Sequence, residues 1–156
     1  MTGAGAGSWA DRAGAAEHAV TGRSLRRLLA APATVLGVNG WPSTMSHRLF
    51  LTWNYWWQAH LLDCLVDAEI RDPRAARRRR IAALARSIRI RNVGSWINRY
   101  YDDMAWLALS LQRCDERLGT DHGAAVSRLT THSGRARRSN ACTRAISSSI
   151  ENGLTT

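Results

Sequence analysis

Lysine is absent from this chain, and all 22 of its basic residues are arginine. With abundant alanine, that reads as the codon bias of a GC-rich genome, so arginine content alone says little about function. Phenylalanine occurs once, at Phe50, and there are three prolines, Pro32, Pro42 and Pro73. So few prolines leave long stretches free to form helices. The three cysteines, Cys64, Cys114 and Cys142, are odd in number and follow no metal-binding or disulfide spacing. No disulfide framework is visible in them, which favours a reducing compartment. Cys64 and Cys114 lie on apolar helical faces and are expected as buried thiols. No run reaches the ~20 apolar residues of a membrane span. The opening MTGAGAGSWADRAGAA lacks the charged start and apolar core of a secretion signal. These absences predict a chain with no membrane span and no cofactor, located in the cytoplasm.

What is present is one domain's worth of helical pattern. The 156 residues suffice for a single core. The net charge of +10 favours polyanions through counterion release and long-range attraction. The stretch Ser95–Gly119 organises the rest. Met104, Leu107, Leu111, Cys114 and Leu118 fall on one helical stripe, and Ala105, Trp106, Ala108 and Leu109 widen it, so this helix is expected to be buried on several sides. Gly119 supplies its stop. Asp102 and Asp103 stand side by side at its start. One of them can serve as N-cap. Two carboxylates with Tyr100, Tyr101 and Trp106 close by also suggest a site. Like charges raise the second ionisation of such a pair while the helix N-terminus lowers both, which can leave one carboxylate charged and one protonated. Glycoside hydrolysis with retention uses that combination at a separation of about 5–5.5 Å.

The residues also carry a resemblance. Tyr100-Tyr101-Asp102-Asp103-Met104-Ala105-Trp106 resembles the signature of glycoside hydrolase family 76, the endo-α-1,6-mannanases. Trp53-Asn54-Tyr55-Trp56-Trp57-Gln58-Ala59-His60-Leu61-Leu62-Asp63 is similar to an earlier inner-helix motif of that family's actinobacterial members, and the order and spacing of the two motifs match. The resemblance covers about residues 10–130. It implies an all-α fold, an (α/α)6 toroid of alternating inner and outer helices, here incomplete because the chain suffices for a third to a half of one. It implies a retaining mechanism on α-1,6-linked mannose chains, with Asp102 as nucleophile, Asp103 as acid/base and an α-mannan-type glycan as partner. One departure is Arg99, which stands where the family often has an acidic residue. A guanidinium beside the pair would depress the carboxylate pKa values.

Elsewhere the chain reads as scaffold with a few polar exceptions. Residues 1–8 are expected to be disordered and 9–132 to form the partial glycosidase-like domain. Ser8 caps a helix predicted from Trp9 to about Ala30. Residues 32–46 form a connector in which Trp41 is a plug over the core ahead of a sugar-stacking platform. A second helix is predicted from about Ser46 to Ile70, with Trp53, Trp57, Leu61, Cys64 and Ala68 as its core stripe. Trp56, His60, Asp63 and Asp67 share a neighbouring face. That row either lines a sugar-binding cleft or is a satisfied His–Asp hydrogen bond beside a surface Asp. A metal site ranks behind both, because three ligands on one helix lack a fourth partner. With Tyr100, Tyr101 and Trp106, the residues Trp56, His60 and Asp63 are the candidate substrate-binding set.

Asp72-Pro73 is the expected start of a third helix, with Ile81, Leu84, Ala85 and Ile88 inward and arginines covering the rest. That basic outer face is a solvated surface or, alternatively, a nucleic-acid-binding helix. Asp121 is placed to cap a short helix containing Ala124, Ala125, Val126 and Leu129. From Ser133 to Thr156 apolar periodicity fades, which predicts a disordered tail of unrelated or frameshifted origin.

Overall fold

The computed structural model describes residues 8–153, with side-chain surroundings given through Arg138. The expectations for residues 1–7 and for the Cys142 side chain lie outside those bounds. Helix α1 (Trp9–Ser24) starts at a capping box. Ser8 accepts from the Asp11 N–H, and the Asp11 carboxylate accepts from the Ser8 N–H at 3.0 Å. The helix ends earlier than predicted. At Leu25 the backbone becomes extended, and β1 (Leu25–Arg26) pairs antiparallel with β2 (Leu36–Gly37). Long-range packing decides this: Leu28 and Leu36 turn into the core, and the Gln58 amide closes on Gly37. Gln58 Oε1 accepts from the Gly37 N–H at 2.8 Å, and Nε2 donates to the Gly37 carbonyl at 2.8 Å. A Cβ on Gly37 would stand 2.8 Å from Leu61 Cδ2, so a larger residue here requires the Leu61 side chain to shift.

The long second helix predicted by the sequence is two helices, α2 (Met45–Arg48) and α3 (Tyr55–Arg71). Between them Phe50 takes a positive φ of 54° and is completely buried. The Arg91 guanidinium donates to its carbonyl at 2.9 and 2.7 Å. Burial of the lone phenylalanine and these bonds outweigh the cost of an unfavourable backbone conformation.

Along α3 the buried residues are Tyr55, Gln58, Ala59, Leu62, Leu65, Val66, Ala68 and Glu69. The expected stripe is thus rotated. Trp57 and Cys64 are exposed, and of that stripe only Ala68 is deeply buried. The reason is that α3 packs between α4 and α5 and buries two faces rather than one.

Helix α4 (Ala75–Arg91) has Arg74 as its N-cap rather than Asp72, and no side chain of the cap closes it. Glu69, reaching across from α3, accepts from the Arg74 N–H at 2.9 Å instead. Ile81, Leu84, Ala85 and Ile88 are all buried, as their spacing predicts. Its arginines are largely occupied by the fold. Arg74, Arg77 and Arg78 hold carboxylates of Asp72, Glu17 and Glu69, while Arg86, Arg89 and Arg91 hold the carbonyls of Ala33, Gly94 and Phe50.

Helix α5 (Tyr101–Leu118) buries Met104, Leu107, Leu111 and Cys114 and closes on Gly119 in the left-handed conformation at φ 67°. Burial pushes the Cys114 thiol up to about 12, so this cysteine is core and not a nucleophile. Helix α6 (Gly123–Gly153) begins beside Asp121, whose Oδ1 accepts from the Gly123 N–H at 3.4 Å. It does not stop near His132, as fading periodicity suggests. Ser133 Oγ donates to the Tyr101 carbonyl at 2.7 Å. Beyond it, the absence of proline lets an already nucleated helix continue.

The architecture is all-α apart from the two-residue strands. Two hairpins, α3–α4 and α5–α6, stand side by side. Helices α3 and α5 pack together as the inner layer, with α4 against α3 and α6 against α5 outside. Inner and outer helices alternate as in an incomplete α/α toroid. Among the described residues no helix is long and apolar enough to cross a membrane.

Candidate active site

The two inner helices place their N-termini at the same end of the molecule, where a cavity of about 360 Å³ opens. Trp53, just before α3, and Tyr55 and Trp56 in its first turn line it, with Asp102 and Asp103 from α5. Asn92, Asn98 and Tyr100 close it from the α4–α5 connector. Positive ends of helix dipoles therefore face the carboxylates.

The connector is held in one conformation by named bonds. Asn92 Nδ2 donates to the carbonyls of Ser95 and Ile97 at 3.0 and 2.8 Å. Arg89 Nε donates to the Gly94 carbonyl at 2.8 Å, and the Tyr55 hydroxyl to the Trp96 carbonyl at 2.6 Å. Burial, with Asp103 nearby, raises the Tyr55 phenol, which keeps it a neutral donor.

Neither carboxylate is the N-cap. That position is Tyr100, and both aspartates sit inside the first turn. Their surroundings differ. Asp102 is exposed, whereas Asp103 is 8% exposed and its Oδ2 accepts from Asn98 Nδ2 at 2.7 Å. Burial first, and the Asp102 charge second, hold the Asp103 carboxyl above the usual carboxylate range. The Asn98 bond opposes both.

A consequence for stability follows. Asp103's folded pKa lies above its unfolded value, so its favourable contribution is complete below the unfolded pKa. It is lost as pH rises through the folded pKa. Asp103→Asn keeps an acceptor for Asn98 but removes that titration. Urea unfolding should show the variant gaining stability relative to wild type at neutral pH compared with acid pH. A difference that is flat with pH would show that Asp103 titrates normally.

Among the described residues Arg99 makes no ion pair with either aspartate. Its guanidinium lies over the Tyr100 ring, 5.5 Å from the centroid. Tyr100 lines the cavity; Tyr101 is half-buried against the core and does not. Trp56 leads away from the carboxylates into an aromatic group. His60 stands edge-on to it at 5.5 Å, and the Trp106 ring follows 4.9 Å beyond His60. Trp56 and Trp106 are 42% and 48% exposed. A separate groove of about 340 Å³ is lined by His60, Trp106 and Asp63. Asp63 is paired there: Arg113 bridges Asp63 and Asp67.

Trp41, expected to cover the core, is 68% exposed. Sequence reasoning missed Asn98, Asn92, Tyr55 and Arg113. Arg113 carries a signal in retrospect, since Asp63 and Asp67 form an i, i+4 acidic pair that a facing arginine satisfies. Asn98 carries none, because its role depends on connector geometry. Among the described residues no three His, Cys, Asp or Glu side chains are grouped to hold a metal ion.

No protein-family model and no curated protein sequence matches the chain. Two solved structures resemble it. One is the Lin0763 protein from Listeria innocua, with a TM-score of 0.64 and 24% identity over 81% of this chain and 34% of that one. The other is the GH76A α-1,6-mannanase from Salegentibacter sp. HEL1_6, with a TM-score of 0.59 and 21% identity over 81% of this chain and 33% of that one. The fold is part of an α/α toroid. At these identities the likeness speaks for the fold alone, and the chain spans about a third of the length of each neighbour.

Proposed function

We propose that this chain carries the carboxylate pair of a retaining glycoside hydrolase acting on α-1,6-linked mannose chains. The observation that carries the reading is the unequal pair: adjacent aspartates in one cavity, Asp102 exposed and Asp103 buried with a raised pKa. Chemistry needs that inequality, because one group must be an ionised nucleophile while its neighbour holds a proton. The α-1,6-mannanase among the similar folds and the Tyr-Tyr-Asp-Asp sequence support the substrate class.

In this reading Asp102 attacks the anomeric carbon as the glycosidic bond breaks, and Asp103 gives its proton to the departing oxygen. A water then enters, loses a proton to Asp103 and attacks the same carbon. The ester to Asp102 breaks, and both carboxyl groups return to their starting state. Two inversions retain the anomeric configuration. Trp56 and Tyr100 supply apolar faces against which sugar C–H bonds lie, and His60, Trp106 and Asp63 offer further contacts in the separate groove.

The test is incubation of the chain with α-1,6-mannan, following reducing ends and reading the first-formed anomer by proton NMR. Release of the α anomer is expected. Absence of release, or the β anomer first, removes the reading.

A further inference from the structure

We infer that Asn98 is a positioning residue that fixes which oxygen of Asp103 carries its proton. The inference rests on the glycosidase reading for its purpose and on geometry for its content. Asn98 Nδ2 donates to Asp103 Oδ2 at 2.7 Å, while Asn98 Oδ1 accepts from the Arg99 backbone N–H at 2.7 Å. The second bond settles the orientation of the amide, since a backbone N–H needs an acceptor opposite it. The group facing Asp103 is therefore the NH2, which donates and cannot accept. A proton on Oδ2 would meet that donor head-on, so the acidic proton of Asp103 resides on Oδ1.

The support behind Asn98 is equally fixed. Its connector is tied by Asn92 to the carbonyls of Ser95 and Ile97, by Arg89 to Gly94 and by Tyr55 to Trp96. Asn98 thus works as a part of the scaffold pressed onto one carboxylate oxygen, leaving the other to the substrate. A bond from a neutral donor stabilises the ionised form, so Asn98 also opposes burial and the Asp102 charge and keeps Asp103 able to cycle.

The other groups around Asp103 do not substitute for it. The titratable side chains facing it are Asp102 on its own helix, Tyr55 from α3 and Tyr100 at the start of α5. The nearby guanidiniums of Arg91 and Arg99 are turned onto the rings of Trp53 and Tyr100, 5.1 and 5.5 Å from the centroids.

The experiment is a pH titration of 13C-carboxyl-labelled aspartate by NMR in the wild-type chain, Asn98→Ala and Asn98→Asp, with Asp103→Asn identifying the resonance. Loss of the donor should raise the Asp103 midpoint in Asn98→Ala. It should rise further in Asn98→Asp, which keeps the shape of the side chain and adds a charge. A purely structural role predicts the opposite sign. If removing Asn98 only loosens the connector, water reaches Asp103 and its midpoint falls toward the ordinary carboxylate value. A fall, or no change, in either variant overturns the inference.

The titration needs no turnover. Upward shifts in a chain that releases no sugar from mannan would sink the glycosidase reading and leave Asn98's control of Asp103 standing. Where hydrolysis is measured, the basic limb of kcat/KM should move in the same direction as the NMR midpoint.

Discussion

Asp102→Asn is expected to reduce the release of reducing ends from α-1,6-mannan by at least about three orders of magnitude, or about 4 kcal/mol of transition-state stabilisation. An amide is nearly the same size as a carboxylate, but it cannot form the ester that divides the reaction into two easier steps. The loss should fall on kcat far more than on KM, because Asp102 is exposed and its proposed contribution arises as charge develops at the anomeric carbon. The fold should barely respond. Asp102 makes no side-chain hydrogen bond with another described residue, and losing a negative charge from the first turn of α5 costs about 0.3–1 kcal/mol.

The substitution has a second signature. The Asp102 charge contributes to the raised pKa of Asp103, so Asp102→Asn should lower the Asp103 midpoint toward the usual range, although burial still holds it up. Activity that survives Asp102→Asn removes it from the nucleophile role. Activity lost with the Asp103 midpoint unmoved would show that the two groups do not sense each other, contrary to their placement in one cavity.

Much of this arrangement is legible in the amino-acid order, and the limits of legibility have physical causes. The stripe Met104, Leu107, Leu111 and Cys114 and the stop at Gly119 are local features, and α5 follows them. The same holds for Ile81, Leu84, Ala85 and Ile88 on α4. Periodicity misleads where tertiary contacts decide. The break before α3 exists because Phe50 is buried and Arg91 holds its carbonyl, a contact spanning 41 residues. The rotation of the α3 core face reflects two packing partners at once, so spacing that selects a single stripe gives the wrong one.

At the site, the aspartate pair and Trp56 stand out by residue type. Asn98 does not, since an asparagine before a helix suggests a turn, and only the folded connector aims its amide at Asp103. The aromatic row is a mixed case. His60 does stand between Trp56 and Trp106, but Asp63 is held by Arg113 from another helix, which the spacing of α3 alone cannot reveal.

The largest stability loss is expected at Arg77. Its side chain is 5% exposed and its guanidinium is fully used. Nε and Nη2 clasp Glu17 at 2.6 and 2.8 Å, and Nη1 reaches Glu69 at 3.4 Å and the Asp72 carbonyl. Glu69 is 1% exposed. Burial pushes its carboxyl up, but the Arg74 N–H, Arg78 and Arg77 outweigh that and hold it below the usual range. This cluster carries an unusual share of the docking of α1, because α1 has no fully buried residue of its own.

Arg77→Ala removes the bidentate partner of Glu17 and one partner of a deeply buried carboxylate. Breaking one side of such a buried pair costs about 3–5 kcal/mol. Hydrogen exchange along α1 should rise first, since that helix loses its main tether. The pH dependence follows from Glu69. A carboxyl depressed in the folded state contributes stability that is present above its unfolded pKa and lost as pH falls through the folded value. The gap between wild type and Arg77→Ala should therefore be widest at neutral pH and shrink in acid, where Glu69 takes up a proton and no longer needs a cation. Arg77→Ala combined with Glu69→Gln, which keeps an acceptor for the Arg74 N–H, should show a flatter pH dependence than Arg77→Ala alone, because the titrating carboxylate is gone. Urea unfolding at neutral and acid pH measures all of these variants. A loss under about 1 kcal/mol at neutral pH would place the cluster with ordinary surface ion pairs, and α1 would then be held by its packing on α3.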